Sequence, residues 1–185
     1  MQELNYWTEL SIQYANQKSY LDDLFQVYTF SKKNQKGKTE TEYSLKKWIN
    51  RKVLGILPIR FEDFVSNNEN AILENERDNY SKFCKNYLDL NNFNKLDLIA
   101  RFNGKYILIK AKLLMGFEYE KNEQLNDIIN FLEVPIIRED IKKVVILDSY
   151  VSTKEIYKKM ITKTTNSNLM SILVLREFLY QVYTQ

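Results

Sequence analysis

The stretch LDLIARFNGKYILIKAKLL, residues 96–114, narrows the folds open to this chain more than any other part of it. Asn103-Gly104 stands between two mainly apolar runs. A two-residue hairpin turn needs positive φ at both central residues, and Asn followed by Gly supplies this at little steric cost. The pattern predicts one strand over 96–102 and a second over 105–113. Charged residues interrupt both runs. Asp97 sits near the start of the first, and Lys110 and Lys112 lie two apart on the second, so period two puts the two lysines on one face. Two readings stand at this point. A carboxylate and a lysine on paired strands could hold a cation and orient water at a phosphodiester. Alternatively, the second run is an edge strand whose lysines face solvent and discourage further pairing.

The flanking sequence predicts a mixed α/β core. Residues 3–16 read as a short helix with Leu4, Trp7, Leu10 and Tyr14, and Ser19 with Asp22 predicts a cap for a second helix over Leu21–Tyr28. Residues 31–44, SKKNQKGKTETEYS, are polar, basic and without apolar period, which predicts a loop. Leu45, Trp48 and Ile49 predict a helix that Gly55 ends. Residues 61–70 read as a loop with helical turns, and 71–88 as one or two helices. After Gly116, Leu125, Ile128, Ile129 and Leu132 share a helical face. KKVVILD, residues 142–148, is apolar enough for a central strand. Ser152 and Glu155 predict a capped helix reaching Met160, and residues 168–182 a last helix. With only four Gly and two Pro among 185 residues, helices and plain strands are favoured over long loops, in one domain spanning 1–185.

Composition excludes several chemistries. The chain has no His, so a histidine general base and His-containing zinc sites are ruled out. The single Cys84 cannot form an internal disulfide or a cysteine cluster. It lies on an apolar helical face with Tyr80, Phe83, Tyr87 and Leu88, as a core thiol does. A net charge of +3 permits nucleic-acid binding without demanding it. The N-terminus lacks the basic start and apolar run of a signal peptide, and no stretch is long enough to span a bilayer. The expectation is a cytoplasmic protein with no membrane partner.

The ordered blocks LDLIARF, FNGKY and KAK resemble type II restriction endonucleases of the PD-(D/E)XK superfamily. Among these, the chain looks most like the group whose core reads as a hydrophobic aspartate strand, FNGKY, a Glu-Ala-Lys strand and a Gly-Gly-any-Gln segment. Similarity extends in blocks to residues 6–28, 48–64, 70–73 and 142–148. The resemblance implies a restriction-endonuclease-like fold, a mixed central sheet with flanking helices. It also implies hydrolysis of specific double-stranded DNA with magnesium (Mg). By position, Asp97 matches the metal-binding aspartate and Lys112 the catalytic lysine, while Lys110 occupies the place of the metal-binding glutamate. Gln124 matches the glutamine of the last segment, although the paired glycines are replaced by residues 118–123, EYEKNE. A segment of the family is shortened around 31–44. A homodimer is implied if the chain still cuts, since two sites must meet two strands.

These departures imply impaired activity. An ammonium at position 110 repels a divalent cation and can pair with Asp97 instead. Glu62, Asp63, Glu76, Glu118, Glu120, Glu123 and Asp127 are the acids that could replace the missing ligand. Arg51, Arg60 and Arg101 are the expected DNA contacts, because a guanidinium can fork onto guanine or clamp a phosphate. Arg101 falls four residues after Asp97, so a salt bridge between them is an equal expectation. Trp48 and Tyr106 could stack on bases or pack in the core. Two further readings stand beside the nuclease: a catalytically inactive DNA-binding protein or remnant of that fold, and an unrelated interaction domain.

Overall fold

In the computed structural model the described residues are 5–28, 40–76, 78–91, 93, 95–114, 118–149, 160 and 168–181; of 40–44 and 118–124 only the backbone is described. The helices are α1 (Tyr6–Ala15), α2 (Tyr20–Val27), α3 (Glu40–Ile49), α4 (Phe61–Ser66), α5 (Asn79–Tyr87), α6 (Glu118–Glu133) and α7 (Leu175–Gln181). The strands are β1 (Pro58–Ile59), β2 (Ala71–Leu73), β3 (Leu98–Phe102), β4 (Lys105–Leu114), β5 (Ile141–Ser149) and β6 (Asn168–Met170). They form one sheet in the order β1-β2-β3-β4-β5-β6. The β2-β3 and β3-β4 pairs are antiparallel, and the remaining neighbours run parallel. This is the mixed sheet with flanking helices expected from the sequence.

The hairpin is the centre of that sheet. Phe102 pairs with Lys105, and Asn103 and Gly104 between them take φ of 54° and 73°. Positive φ at both positions gives the turn a twist that matches its strands. A helix then carries the chain from β4 back to a parallel β5, which needs a long crossover that α6 supplies.

Alternation along the central strands divides the core into two layers. Ile107, Ile109, Ala111 and Leu113 of β4 face Trp7, Leu24, Leu45 and Phe178 from α1, α2, α3 and α7. Leu108 and Leu114 face the other layer, where Phe64, Phe83 and Ile128 come from α4, α5 and α6. Lys110 and Lys112 have the parity of Leu108 and Leu114, so they lie on the α6 side.

Several local expectations differ from the structure. β4 is central, held by β3 and β5, so its lysines do not guard an edge. Residues 71–73 form a strand rather than the start of a helix, with Ala71 and Leu73 in one apolar layer and Ile72 in the other. Residues 168–170 pair parallel to β5, and the expected last helix begins only at Leu175, after a 3-10 turn capped by the Ser171 hydroxyl. Helix α3 starts at Glu40, inside the segment read as a loop; residues 31–39 lie outside the described residues. Ser19 precedes α2 without a capping bond, whereas the Asn5 side chain accepts the Trp7 N–H and caps α1. Met160 is helical and buried, but the rest of the helix expected after Ser152 lies outside the described residues.

Candidate active site

Asp97 immediately precedes β3. Its N–H donates to the Ile109 carbonyl at 2.9 Å, and its carboxylate accepts the Ala111 N–H at 2.7 Å through Oδ2. The acid is therefore seated on the backbone of β4, at the residue between Lys110 and Lys112. It also lines a small cleft with Glu74 and Asn75, which follow β2, and Lys46 and Asn50 at the C-terminal end of α3. Three segments distant in sequence thus meet at the start of β3 because the sheet brings β2 alongside it.

Lys110 and Lys112 converge on a different acid. Lys110 Nζ donates to Asp127 Oδ1 at 2.8 Å, and Lys112 Nζ lies 3.4 Å from Asp127 Oδ2. Asp127 comes from α6, which packs against β4. Both carboxylate oxygens carry an ammonium. Partial burial works against ionisation of Asp127, but the Lys110 hydrogen bond and charge, followed by those of Lys112, outweigh it and hold the carboxyl below its usual range. The Lys110 side chain is 7% exposed and Asp127 44% exposed. A lysine this buried requires an anionic partner, and the α6 acid supplies it. The expectation that Lys110 pairs with Asp97 is corrected accordingly: its carboxylate partner is Asp127.

Of the other acids weighed as replacements, Glu62, Asp63 and Glu76 do not join this group. Glu62 and Asp63 are exposed on α4, and Glu76 is exposed after β2. The side chains of Glu118, Glu120, Glu123 and Gln124 lie outside the described residues. Among the described residues, no three His, Cys, Asp or Glu side chains are grouped to hold a metal ion. Magnesium needs several oxygen ligands in near-octahedral array. Asp127 presents two oxygens already bonded to ammoniums, and Asp97 has one oxygen on a main-chain amide. This donor set does not fit the ion.

Arg101 departs from its expected role. It is 3% exposed, and its guanidinium donates to the carbonyls of Phe64 and Glu69 and to Asn67 Oδ1, at 2.6, 2.8 and 2.9 Å. It also stacks 4.5 Å over the Phe64 ring. Arg101 closes the C-terminal end of α4 and fixes the loop to β2, and neither DNA nor Asp97 is needed to explain it. Arg51 and Arg60 are exposed. Trp48 is partly buried against the α1–α3 layer, and Tyr106 is partly buried with its ring centroid 5.5 Å from that of Phe83.

Sequence reasoning missed a buried carboxyl. Asp148 at the end of β5 is fully enclosed, accepting from the hydroxyls of Tyr20, Tyr28 and Ser171 and from the Ile172 N–H. Burial raises its pKa, and the four donors oppose that rise. The donors join α2 to the segment after β6. They lie up to 128 residues from Asp148, and no local pattern reveals them. Lys143 was also missed. Its ammonium donates to the carbonyls of Phe131, Leu132 and Val134 and closes the C-terminus of α6.

Among the described residues, no helix is long and apolar enough to cross a membrane. No match was found among the curated proteins or the solved structures. The family model described as Tsp45I type II restriction enzyme matches residues 5–44 and 33–182. The two matched stretches overlap at 33–44. With the matched stretches together reaching from residue 5 to residue 182, the chain belongs to the Tsp45I type II restriction enzyme family.

Proposed function

We propose that this chain is a restriction endonuclease of the PD-(D/E)XK kind by descent, whose magnesium-dependent hydrolysis of specific duplex DNA is impaired by Lys110. The observation that carries this reading is the placement of Asp97. Its carboxylate sits on the amide between Lys110 and Lys112, where a strand carboxylate at position 110 would share a cation with it. The order of β2, β3, β4, α6 and β5 supports the assignment, since it presents the aspartate and the lysine pair from adjacent antiparallel strands.

Lys110 changes the chemistry of this place. Two ammoniums and two carboxylates leave no net negative charge to attract a divalent cation. Lys112, the proposed catalytic lysine, is half of a clamp on Asp127 and points its charge there. Asp97 holds its position through a main-chain amide, with a cation at position 110 where the second strand acid would stand. Gln124 and the exposed Arg51 and Arg60 are the proposed DNA contacts, and a homodimer is the assembly that cutting both strands would require.

Calorimetric titration with magnesium tests this. The chain as written is expected to bind weakly, and the Lys110→Glu variant stoichiometrically, with that binding lost when Asp97→Ala is added. Tight binding by the unmodified chain, or binding by the variant that survives Asp97→Ala, would move the metal site elsewhere. The second reading, a DNA-binding protein of this fold without catalysis, is favoured by the same Lys110–Asp127 bond. Specific duplex binding in the absence of metal, with no cleavage in its presence, would select it.

A further inference from the structure

The C-terminal end of α3 and the turn after it carry four cations within seven residues: Lys46, Lys47, Arg51 and Lys52. Leu45 and Ile49 anchor the helix in the core, so its buried face is fixed. Lys47, Arg51 and Lys52 are exposed. Lys46 and Asn50, one turn apart, line the cleft that holds Asp97. Lys46 Nζ bonds the Asn75 carbonyl at 3.2 Å across that cleft, which leaves it two further N–H donors. None of the four cations has an acidic partner among the described residues. Lysines in the last turn of a helix are favoured by its dipole, which accounts for Lys46 and Lys47. It does not account for Arg51 and Lys52, which lie beyond the helix end.

We propose that this ridge is a duplex-backbone track that delivers a phosphate to the Asp97 cleft, with Lys46 as the contact inside it. The inference rests on the nuclease reading above and adds residues to it. Charge complementarity selects the partner: cations without acidic partners border the cleft that holds Asp97, the proposed metal-binding aspartate of a phosphodiester-cleaving site. Lys47 in the last turn of the helix and Arg51 in the turn just beyond it are four residues apart, a step that long side chains can span to neighbouring phosphates of one strand. Asn50 adds an amide that can donate to phosphate oxygen while leaving the charge unchanged.

The test is fluorescence anisotropy of the full chain with a labelled random-sequence duplex, in EDTA, from about 50 to 200 mM salt. Lys46→Gln with Arg51→Gln is compared with Lys82→Gln and Lys85→Gln. The second pair removes the same charge from α5, which packs on the opposite face of the sheet. Each phosphate contact contributes about 0.9 to the slope of log affinity against log salt. The α3 double variant should lose about 1.8 of slope, and Arg51→Gln alone about 0.9, while the α5 pair leaves the slope unchanged. Arg51→Gln keeps the test decisive if removal of the Lys46–Asn75 bond loosens the fold. Equal losses from both faces would show a response to net charge and overturn the track, as would an unchanged slope in the α3 variants. If the unmodified chain binds no duplex at low salt, the DNA reading under the proposed function falls first, and the track with it.

Discussion

Replacing Lys110 by Glu should make the stability of this protein depend on magnesium. Lys110 is a nearly buried cation bonded to Asp127 at 2.8 Å. Removing one partner of a buried pair costs about 3–5 kcal/mol. Asp127 is 44% exposed, so water screens the carboxylate that is left behind, and about 2 kcal/mol is the appropriate figure here. For a domain of this size that lowers Tm by about 4–8 °C. The substitution also changes the local charge. Two cations and two anions become one cation and three anions, with the new carboxylate beside Asp127 and one residue from the amide that Asp97 accepts. Such a cluster repels itself until a divalent ion occupies it. At one hundred times its Kd, magnesium should return about 2.7 kcal/mol. A thermal melt with and without magnesium reads this directly. The unmodified chain should not shift. Lys110→Glu should start lower and recover its loss, whereas Lys110→Met should start lower and stay there. Recovery in the Met variant, or none in the Glu variant, would refute the view that position 110 lacks only a carboxylate.

Three further outcomes follow from the same geometry. Arg101→Met should cost about 2–4 kcal/mol, because two carbonyls and one amide oxygen lose a charged donor, yet leave the salt dependence of duplex binding unchanged; chemical denaturation and anisotropy check the two halves. Lys143→Met should cost about 1–2 kcal/mol and speed amide exchange in the last turn of α6, measurable by hydrogen exchange. For Asp148 the folded pKa is raised above the unfolded one, so its contribution is full at acid pH and is lost as pH rises through the folded value. Asp148→Asn removes that titration; the stability difference between the two forms should therefore shift against the aspartate as pH rises, and a difference independent of pH would contradict the assignment.

The sequence is most legible where one local rule decides the outcome. Asn103-Gly104 demands a tight turn whatever surrounds it, and the hairpin and its register follow. Central β5 is equally plain, because the apolar run from Val144 to Leu147 is buried throughout. Short strands are not legible in this way. Ala71–Leu73 and Asn168–Met170 span three residues each, too few for period two to differ from a helical turn, and only pairing with their neighbours makes them strands. Charged residues are the hardest to place. Parity correctly put Lys110 and Lys112 on one face, but their shared partner lies 17 residues beyond Lys110, on a helix whose docking no local rule fixes. Arg101 shows the same limit: an arginine on an apolar strand reads as exposed function, while the Phe64 and Glu69 carbonyls that satisfy it come from 37 and 32 residues upstream.

The central claim is that a nuclease site stands on β3 and β4 and that Lys110 disables it. A plasmid digestion time course with the unmodified chain, in magnesium and in manganese, tests it most directly. Supercoiled DNA should stay intact in both metals throughout the time course. Discrete, sequence-specific fragments from the unmodified chain would contradict the claim, and would mean that another acid completes the site around Asp97.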